Sequence, residues 1–191
     1  PMSNDHVSLV INEQPVTVGA GTTILEAAQS LGIAIPTLCW AENLTPANVC
    51  RLCVVEAEGA RTLVPACSRT CEDGAEIRTD TNRVAQSRRM VLELLDSTND
   101  LSQSPELQTL IDEYGADSSR YTDPATPEPS PKIEDDLFIR AYDRCVLCYK
   151  CVEACGEDAQ FSFAISIADR GFDARVSTEY DVPLPESACV Y

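Results

Sequence analysis

The chain carries two groups of cysteine residues whose spacings suit iron-sulfur chemistry. In the first half of the chain the order is Cys39-x10-Cys50-x2-Cys53-x13-Cys67. A 2Fe-2S cluster takes two thiolate ligands on each of its two irons, so it needs four sulfurs. We therefore expect these four cysteines to bind a 2Fe-2S cluster.

The second group lies near the other end of the chain and has a different spacing, Cys145-x2-Cys148-x2-Cys151-x3-Cys155. In a bacterial ferredoxin the first three cysteines of such a run bind one 4Fe-4S cluster, and the fourth binds a neighbouring cluster. Gly156 stands where the ferredoxin run has proline, a change that removes no sulfur ligand. The run predicts a 4Fe-4S site, and the two groups together predict electron transfer.

Three other uses of the cysteines compete with this interpretation. A disulfide scaffold is typical of a short secreted chain, whereas residues 1–6 show neither a basic nor an apolar leader pattern. Structural zinc usually takes two separate Cys-x2-Cys pairs, whereas the second group has four cysteines within eleven residues. An isolated buried thiol is common, and this use fits Cys71, which has no place in the first motif.

Composition limits the classes of function. The formal net charge is -17, and such an acidic chain repels nucleic acid and is attracted to a basic surface on a redox partner. Alternatively, the acidity only keeps the protein soluble. No apolar run is long enough to cross a bilayer, so we expect a cytoplasmic protein without membrane insertion.

Catalytic groups are scarce. His6 is the only histidine, and we expect it in a frayed, solvated terminus. No Gly-x-Gly-x-x-Gly sequence follows a predicted strand, so we expect no dinucleotide site. The sequence therefore predicts no catalytic residue.

Hydrophobic patterning predicts a small mixed fold in the first eighty residues. Thr23 and Glu26 form a capping-box pattern that opens a helix ending at Gly32. Strands are predicted at residues 7–11, 15–18, 53–56, 62–65 and 76–79, with a turn at 12–14. This order predicts a β-grasp 2Fe-2S ferredoxin domain over residues 1–80. Arg51, between two cysteines, is a candidate for positive charge near the cluster or a solvated surface residue.

The rest of the chain divides into three further segments. Apolar residues at helical spacing predict a helix over 81–96, and Ser104-Pro105-Glu106 opens another that ends near Gly115. Residues 81–115 are thus a helical connector, and the proline-rich residues 116–132 are a linker. Residues 133–191 are expected to form a partial 4Fe-4S ferredoxin-type domain. The predicted fold class is α+β.

Several segments are specific enough to suggest a family. They are Ile-Pro-Thr-Leu-Cys-Trp (35–40), Cys-Arg-Leu-Cys-Val-Val-Glu (50–56), Pro-Ala-Cys-Ser (65–68) and the cysteine run with its preceding arginine (144–155). Nearly the whole chain resembles the N-terminal iron-sulfur region shared by three groups of proteins. These are the NADH:quinone oxidoreductase large subunits, NAD-linked formate dehydrogenase alpha subunits, and iron-only or NAD-linked hydrogenase subunits. Residues 170–175 resemble the formate dehydrogenase branch in particular.

The resemblance has further implications for the ligands. Cys189 looks like the first cysteine of a second ferredoxin motif, which stops there, so Cys155 and Cys189 would belong to a second cluster. With two of its ligands missing, one 4Fe-4S cluster is expected here, and two in a longer chain. Either Cys155 or Cys189 then completes the single cluster as a substitute ligand, or a three-iron cluster forms instead. Residues 92–114 lack the histidine and cysteines that bind another cluster in this family, so that cluster should be absent.

The resemblance implies an electron-transfer subunit or module of a larger oxidoreductase, most like formate dehydrogenase or NADH dehydrogenase. It would relay single electrons between a catalytic centre and a flavin/NAD or other acceptor. The expected partners are a molybdenum, tungsten or hydrogenase catalytic subunit and a flavin/NAD subunit. A separate soluble ferredoxin-like carrier is the alternative, and a zinc-binding protein is a third hypothesis.

Overall fold

The computed structural model describes residues 6–126, 131–133, 136 and 138–190. In this part of the chain, two compact units form: residues 6–38 with 48–91, and residues 39–47 with the described residues from 92 onward. In chain order the strands and helices are β1 (His6–Ile11), β2 (Gln14–Gly19), α1 (Ile24–Ser30), β3 (Val54–Ala57), β4 (Val64–Pro65), β5 (Glu76–Arg78), α2 (Asn82–Thr98), α3 (Pro105–Tyr114), β6 (Lys132–Ile133), β7 (Ile139–Arg140), α4 (Lys150–Cys155), β8 (Ile165–Ala168) and β9 (Arg175–Thr178).

The first unit is built on a five-stranded mixed sheet in the order β2-β1-β5-β3-β4. β1 runs parallel to β5, and the other neighbouring pairs are antiparallel. Asn12 and Glu13 join β1 to β2 with left-handed backbones, φ 47° and 66°. Two positive φ angles in a two-residue loop match the twist of the paired strands. His6, expected in a frayed terminus, is instead the first residue of β1, although its side chain is exposed.

Helix α1 begins with the capping box that the sequence predicts. The Thr23 hydroxyl oxygen accepts a hydrogen bond from the Glu26 N–H at 3.2 Å, and the Glu26 carboxylate accepts one from the Thr23 N–H at 2.7 Å. These bonds satisfy backbone donors that every helix start leaves without an intrahelical partner. The helix buries its apolar face in this unit. The buried apolar residues of the unit include Leu9, Ile11, Ile24, Leu25, Ala27, Ala28, Leu52, Val55, Ile77 and Val84.

Helix α2 begins in the first unit, and its last residues belong to the second. In the second unit the Glu93 side chain is only 3% exposed, and its carboxylate accepts hydrogen bonds from Arg120 at 3.0 Å and from the Asp117 N–H at 3.4 Å. A buried carboxylate requires such partners because desolvation opposes its charge. The contacts therefore hold the segment after α3 against the end of α2.

The observed elements confirm most of the predicted ones. The predicted helices are α2 and α3, and α3 ends at Gly115 with a left-handed φ of 58°. The strand predicted at 62–65 is shorter, since only Val64–Pro65 pairs with β3. The predicted linker contains a 3-10 turn at Ser118–Arg120, and its residues 127–130 lie outside the described part, as does Tyr191. The combination of strands and helices confirms a mixed α/β fold.

The second unit contains two short hairpins, β6–β7 and β8–β9, and the helices α3 and α4. In the β8–β9 hairpin four residue pairs are in register, from Ile165 opposite Thr178 to Ala168 opposite Arg175. None of the described helices is both long and apolar enough to cross a membrane.

The capping box gives a direct stability test. Thr23→Ala removes the hydroxyl acceptor at the start of α1, and we expect the free energy of unfolding to fall by about 1 kcal/mol. Urea denaturation followed by circular dichroism measures the loss. Thr22→Ala is the matched control, because Thr22 is the adjacent threonine, lies outside the capping box and makes its hydrogen bonds to Gly19 and Cys71 through its backbone. Equal losses in the two variants would show that the cap contributes nothing.

Candidate metal centres

Cys53 and Cys67 lie at the same end of the β3–β4 pair. Val54 stands opposite Pro65 in this antiparallel ladder, and the Ala66 N–H donates to the Cys53 carbonyl at 3.2 Å. Cys53 immediately precedes β3, and Cys67 follows β4 by two residues, so the strand pair brings the two positions together. Both cysteines are buried.

Cys50 lies at the start of the turn that leads to Cys53, and its side chain is half-buried. The Leu52 N–H points at the Cys50 sulfur at 3.5 Å. Asn48 and Arg51 both have left-handed backbones, φ 56° and 58°, which bend the chain around this position. A backbone N–H directed at a sulfur favours the thiolate, the form that binds metal.

Arg51 is exposed, and its guanidinium donates to the Asn48 side-chain oxygen at 3.2 Å. Of the two roles that the sequence left open for this residue, the solvated surface arginine agrees with this placement.

Cys39 is buried and belongs to the second unit, whereas the other three cysteines of the first motif belong to the first. Its loop, residues 39–47, is held by Asp158. The Asp158 carboxylate accepts hydrogen bonds from the Thr45 N–H at 2.6 Å and from the Thr45 hydroxyl at 2.9 Å. Sequence reasoning missed Asp158, and no local pattern reveals it, because the partners are 113 residues apart.

Cys71, which has no place in the first motif, is buried as predicted. Its N–H donates to the Thr22 carbonyl at 2.8 Å. Burial raises the pKa of the Cys71 thiol, and the Glu26 carboxylate raises it further. The residue lines a cavity of about 400 Å³ together with Arg69 and Glu72.

The second cysteine group begins after a 3-10 turn at Tyr142–Arg144 and continues into α4. Partial burial raises the pKa of the Cys145 thiol, a backbone hydrogen bond from Leu147 lowers it, and Cys148 raises it. Burial also raises the pKa of the Cys151 thiol, and Cys148 and Cys145 add to this increase. The first three sulfurs of the run are thus close enough to interact electrostatically.

The segment before Cys145 is braced by the end of α2. The Asn99 side chain donates to the Cys145 carbonyl at 3.0 Å, and Arg144 donates to the Asp100 carboxylate at 3.1 Å. The Asp100 N–H also donates to the Asp143 carbonyl at 2.8 Å. These contacts fix the backbone at the first ligand position of the run.

Cys155 has a different environment at the end of α4. Its sulfur accepts a hydrogen bond from the Ala164 N–H at 3.1 Å and lies 3.2 Å from the Ser162 hydroxyl oxygen. The Gly156 N–H donates to the carbonyls of Val152 and Glu153, at 2.9 and 3.1 Å, and closes the helix. Proline, which follows the fourth cysteine in the ferredoxin run, has no N–H and could not make these bonds.

Cys189 is half-buried near the end of the chain, where its N–H donates to the Ser187 hydroxyl oxygen at 3.2 Å. Among the described residues, no three His, Cys, Asp or Glu side chains are grouped as ligands of one metal ion. An iron-sulfur cluster distributes its thiolates over different irons, so its ligands need not surround a single ion.

Comparison with known proteins relates this geometry to a family. Residues 4–82 match the 2Fe-2S iron-sulfur cluster binding domain. The chain is 35% identical to an NADH-quinone oxidoreductase subunit of Rhizobium meliloti, over 90% of this chain and 21% of that protein. A Staphylococcus haemolyticus protein whose name assigns it to formate dehydrogenase is 28% identical, over 97% of this chain and 19% of that protein.

A solved structure gives a wider match. A chain in the crystal structure of an NAD+-reducing [NiFe]-hydrogenase in the H2-reduced state superposes with a TM-score of 0.83 and 28% identity. The match covers 96% of this chain and 80% of that one. This chain spans about a fifth to a third of the length of the curated relatives it matches. Residues 4–82 therefore match the 2Fe-2S iron-sulfur cluster binding domain, and the chain as a whole is similar to part of an NADH-quinone oxidoreductase subunit, a formate dehydrogenase and an NAD+-reducing hydrogenase.

Proposed function

We propose that the chain transfers single electrons within a larger oxidoreductase of the formate dehydrogenase or NADH dehydrogenase type. The observation that carries this proposal is the match of residues 4–82 to a 2Fe-2S binding domain, because all four cysteines of the first motif lie inside it. A thiolate-bound cluster gains and loses one electron without making or breaking a bond. The chain itself needs only to hold the cluster, exclude water and set its potential.

We assign the 2Fe-2S cluster to the four cysteines of the first motif, within a β-grasp domain. Three of them are buried, which removes water from the cluster ligands. The fourth has the Leu52 N–H directed at its sulfur. A buried thiolate without a cation is strongly disfavoured, so these residues fit a group that supplies positive charge. The ligands are Cys39, Cys50, Cys53 and Cys67.

We assign a 4Fe-4S cluster to the second cysteine run. Cys145, Cys148 and Cys151 interact electrostatically, and as thiolates they would repel each other unless metal cations lay between them. Cys155 or Cys189 supplies the fourth ligand in this chain. The Ala164 N–H directed at the Cys155 sulfur supports that residue as a ligand, because cluster sulfurs commonly accept hydrogen bonds from backbone N–H groups.

The second unit exposes several large aromatic side chains, which favours a module of a complex over a separate carrier. A contiguous exposed apolar patch is typical of a surface that docks a partner, and Phe161 and Phe163 are in edge-to-face contact, with ring centroids 5.7 Å apart. The partners we propose are a molybdenum, tungsten or hydrogenase catalytic subunit and a flavin/NAD subunit, in the cytoplasm. The exposed aromatic residues are Phe161, Phe163, Phe172 and Tyr180.

Two buried cysteines provide a matched test of the 2Fe-2S assignment. Cys67→Ala removes a proposed ligand, whereas Cys71→Ala removes a buried thiol outside the motif. We expect the Cys67 variant to lose about two irons per chain and the rhombic EPR signal of the reduced cluster. The Cys71 variant should keep both. Iron analysis and EPR on anaerobically purified protein measure these quantities, and loss of the signal in both variants would contradict the assignment.

The 4Fe-4S assignment has its own test. The unmodified chain should contain about six irons and show a fast-relaxing EPR signal besides the rhombic one. Cys148→Ala should remove about four irons and the fast-relaxing signal, and leave the rhombic signal unchanged. A chain with only about two irons would refute the second site. A colourless chain with stoichiometric zinc would refute electron transfer altogether.

A further inference from the structure

Helix α2 carries an arginine whose side chain is buried. Arg88 is only 3% exposed and lies on one helix face with Val84 and Leu92, each four residues away and each fully buried. A charged residue in the middle of an apolar face is rare, because burying its charge requires compensating contacts. The interruption of the apolar pattern at position 88 is the sequence signal of this residue, and it was missed by reasoning from the cysteines.

The Arg88 guanidinium holds the backbone on both sides of a proposed cluster ligand. Its Nε donates to the Leu52 carbonyl at 3.2 Å, and its Nη2 donates to the Val54 carbonyl at 3.0 Å. Cys53 is the residue between these two carbonyls. The planar guanidinium presents several donors in a rigid fork, so one side chain can hold two oxygens at once.

The positive charge of Arg88 affects the reduction potential of the cluster. The guanidinium group is a cation with several N–H donors and no acceptor. Its burial also shields its field from water and salt, so its interaction with nearby charge is stronger than at the surface. Reduction adds one negative charge to the cluster, and a nearby buried cation stabilises the reduced form. The potential of an iron-sulfur cluster depends on such local charge and on hydrogen bonding.

We propose that Arg88 is a positioning residue that sets the reduction potential of the 2Fe-2S cluster. Its fork fixes the backbone at Cys53, and its charge shifts the potential to a more positive value. The inference rests on the proposed function, because it requires Cys53 to be a cluster ligand. Arg51, the arginine between the cysteines, is exposed and donates to the Asn48 side chain instead.

The test compares three variants in the full chain by EPR-monitored redox titration. Arg88→Gln removes the charge and keeps an amide donor, so the midpoint potential should become more negative. Arg88→Lys keeps the charge but loses the fork, so the potential should stay close to the original value while the EPR g values change. Arg89→Gln is the matched control, because Arg89 is the next residue on α2 and is exposed. It should leave both quantities unchanged.

The outcomes separate this inference from the proposed function. If the unmodified chain contains no iron, the proposed function fails. If it contains the cluster and Arg88→Gln has the same potential as Arg89→Gln, only the role of Arg88 is refuted. If Arg88→Gln does not fold, the Arg88→Lys variant tests both the charge effect and the positioning effect. A more negative potential in Arg88→Lys would refute the charge effect, and unchanged g values would refute the positioning effect.

Discussion

A cysteine must become a thiolate to bind iron, and several thiolates repel each other, particularly in a chain with a formal charge of -17. This electrostatic constraint links the features described above. Burial and neighbouring thiols raise the pKa of Cys145 and Cys151, so the bare sulfurs resist ionisation. Backbone N–H groups are directed at the sulfurs of Cys50 and Cys155. Metal cations would offset the remaining negative charge of the thiolates.

Local sequence signals predicted the local structure well. The Thr23–Glu26 capping box and the left-handed Gly115 act within a few residues of the chain, so their chemistry is visible in the sequence. Helix α2 was predicted because apolar residues recur at helical spacing. The family match confirmed the interpretation of the first cysteine motif as part of a 2Fe-2S domain.

Long-range contacts could not be predicted in the same way. Arg88 donates to carbonyl oxygens 34 and 36 residues away, and backbone carbonyls have no sequence signature. The order of strands in the sheet places β5 between β1 and β3, which depends on packing of the whole unit rather than on any one segment. The β6–β7 hairpin was missed because strands of two residues are too short to show alternation.

The contact between Asp158 and Thr45 extends beyond the matched domain. The sequence family ends at residue 82, yet the loop after Cys39 relies on a hydrogen-bond partner in the segment after α4. A recombination event that carried only the matched domain into another protein would leave Thr45 without that partner. A segment that keeps this contact therefore extends at least to residue 158, almost twice the length of the matched domain.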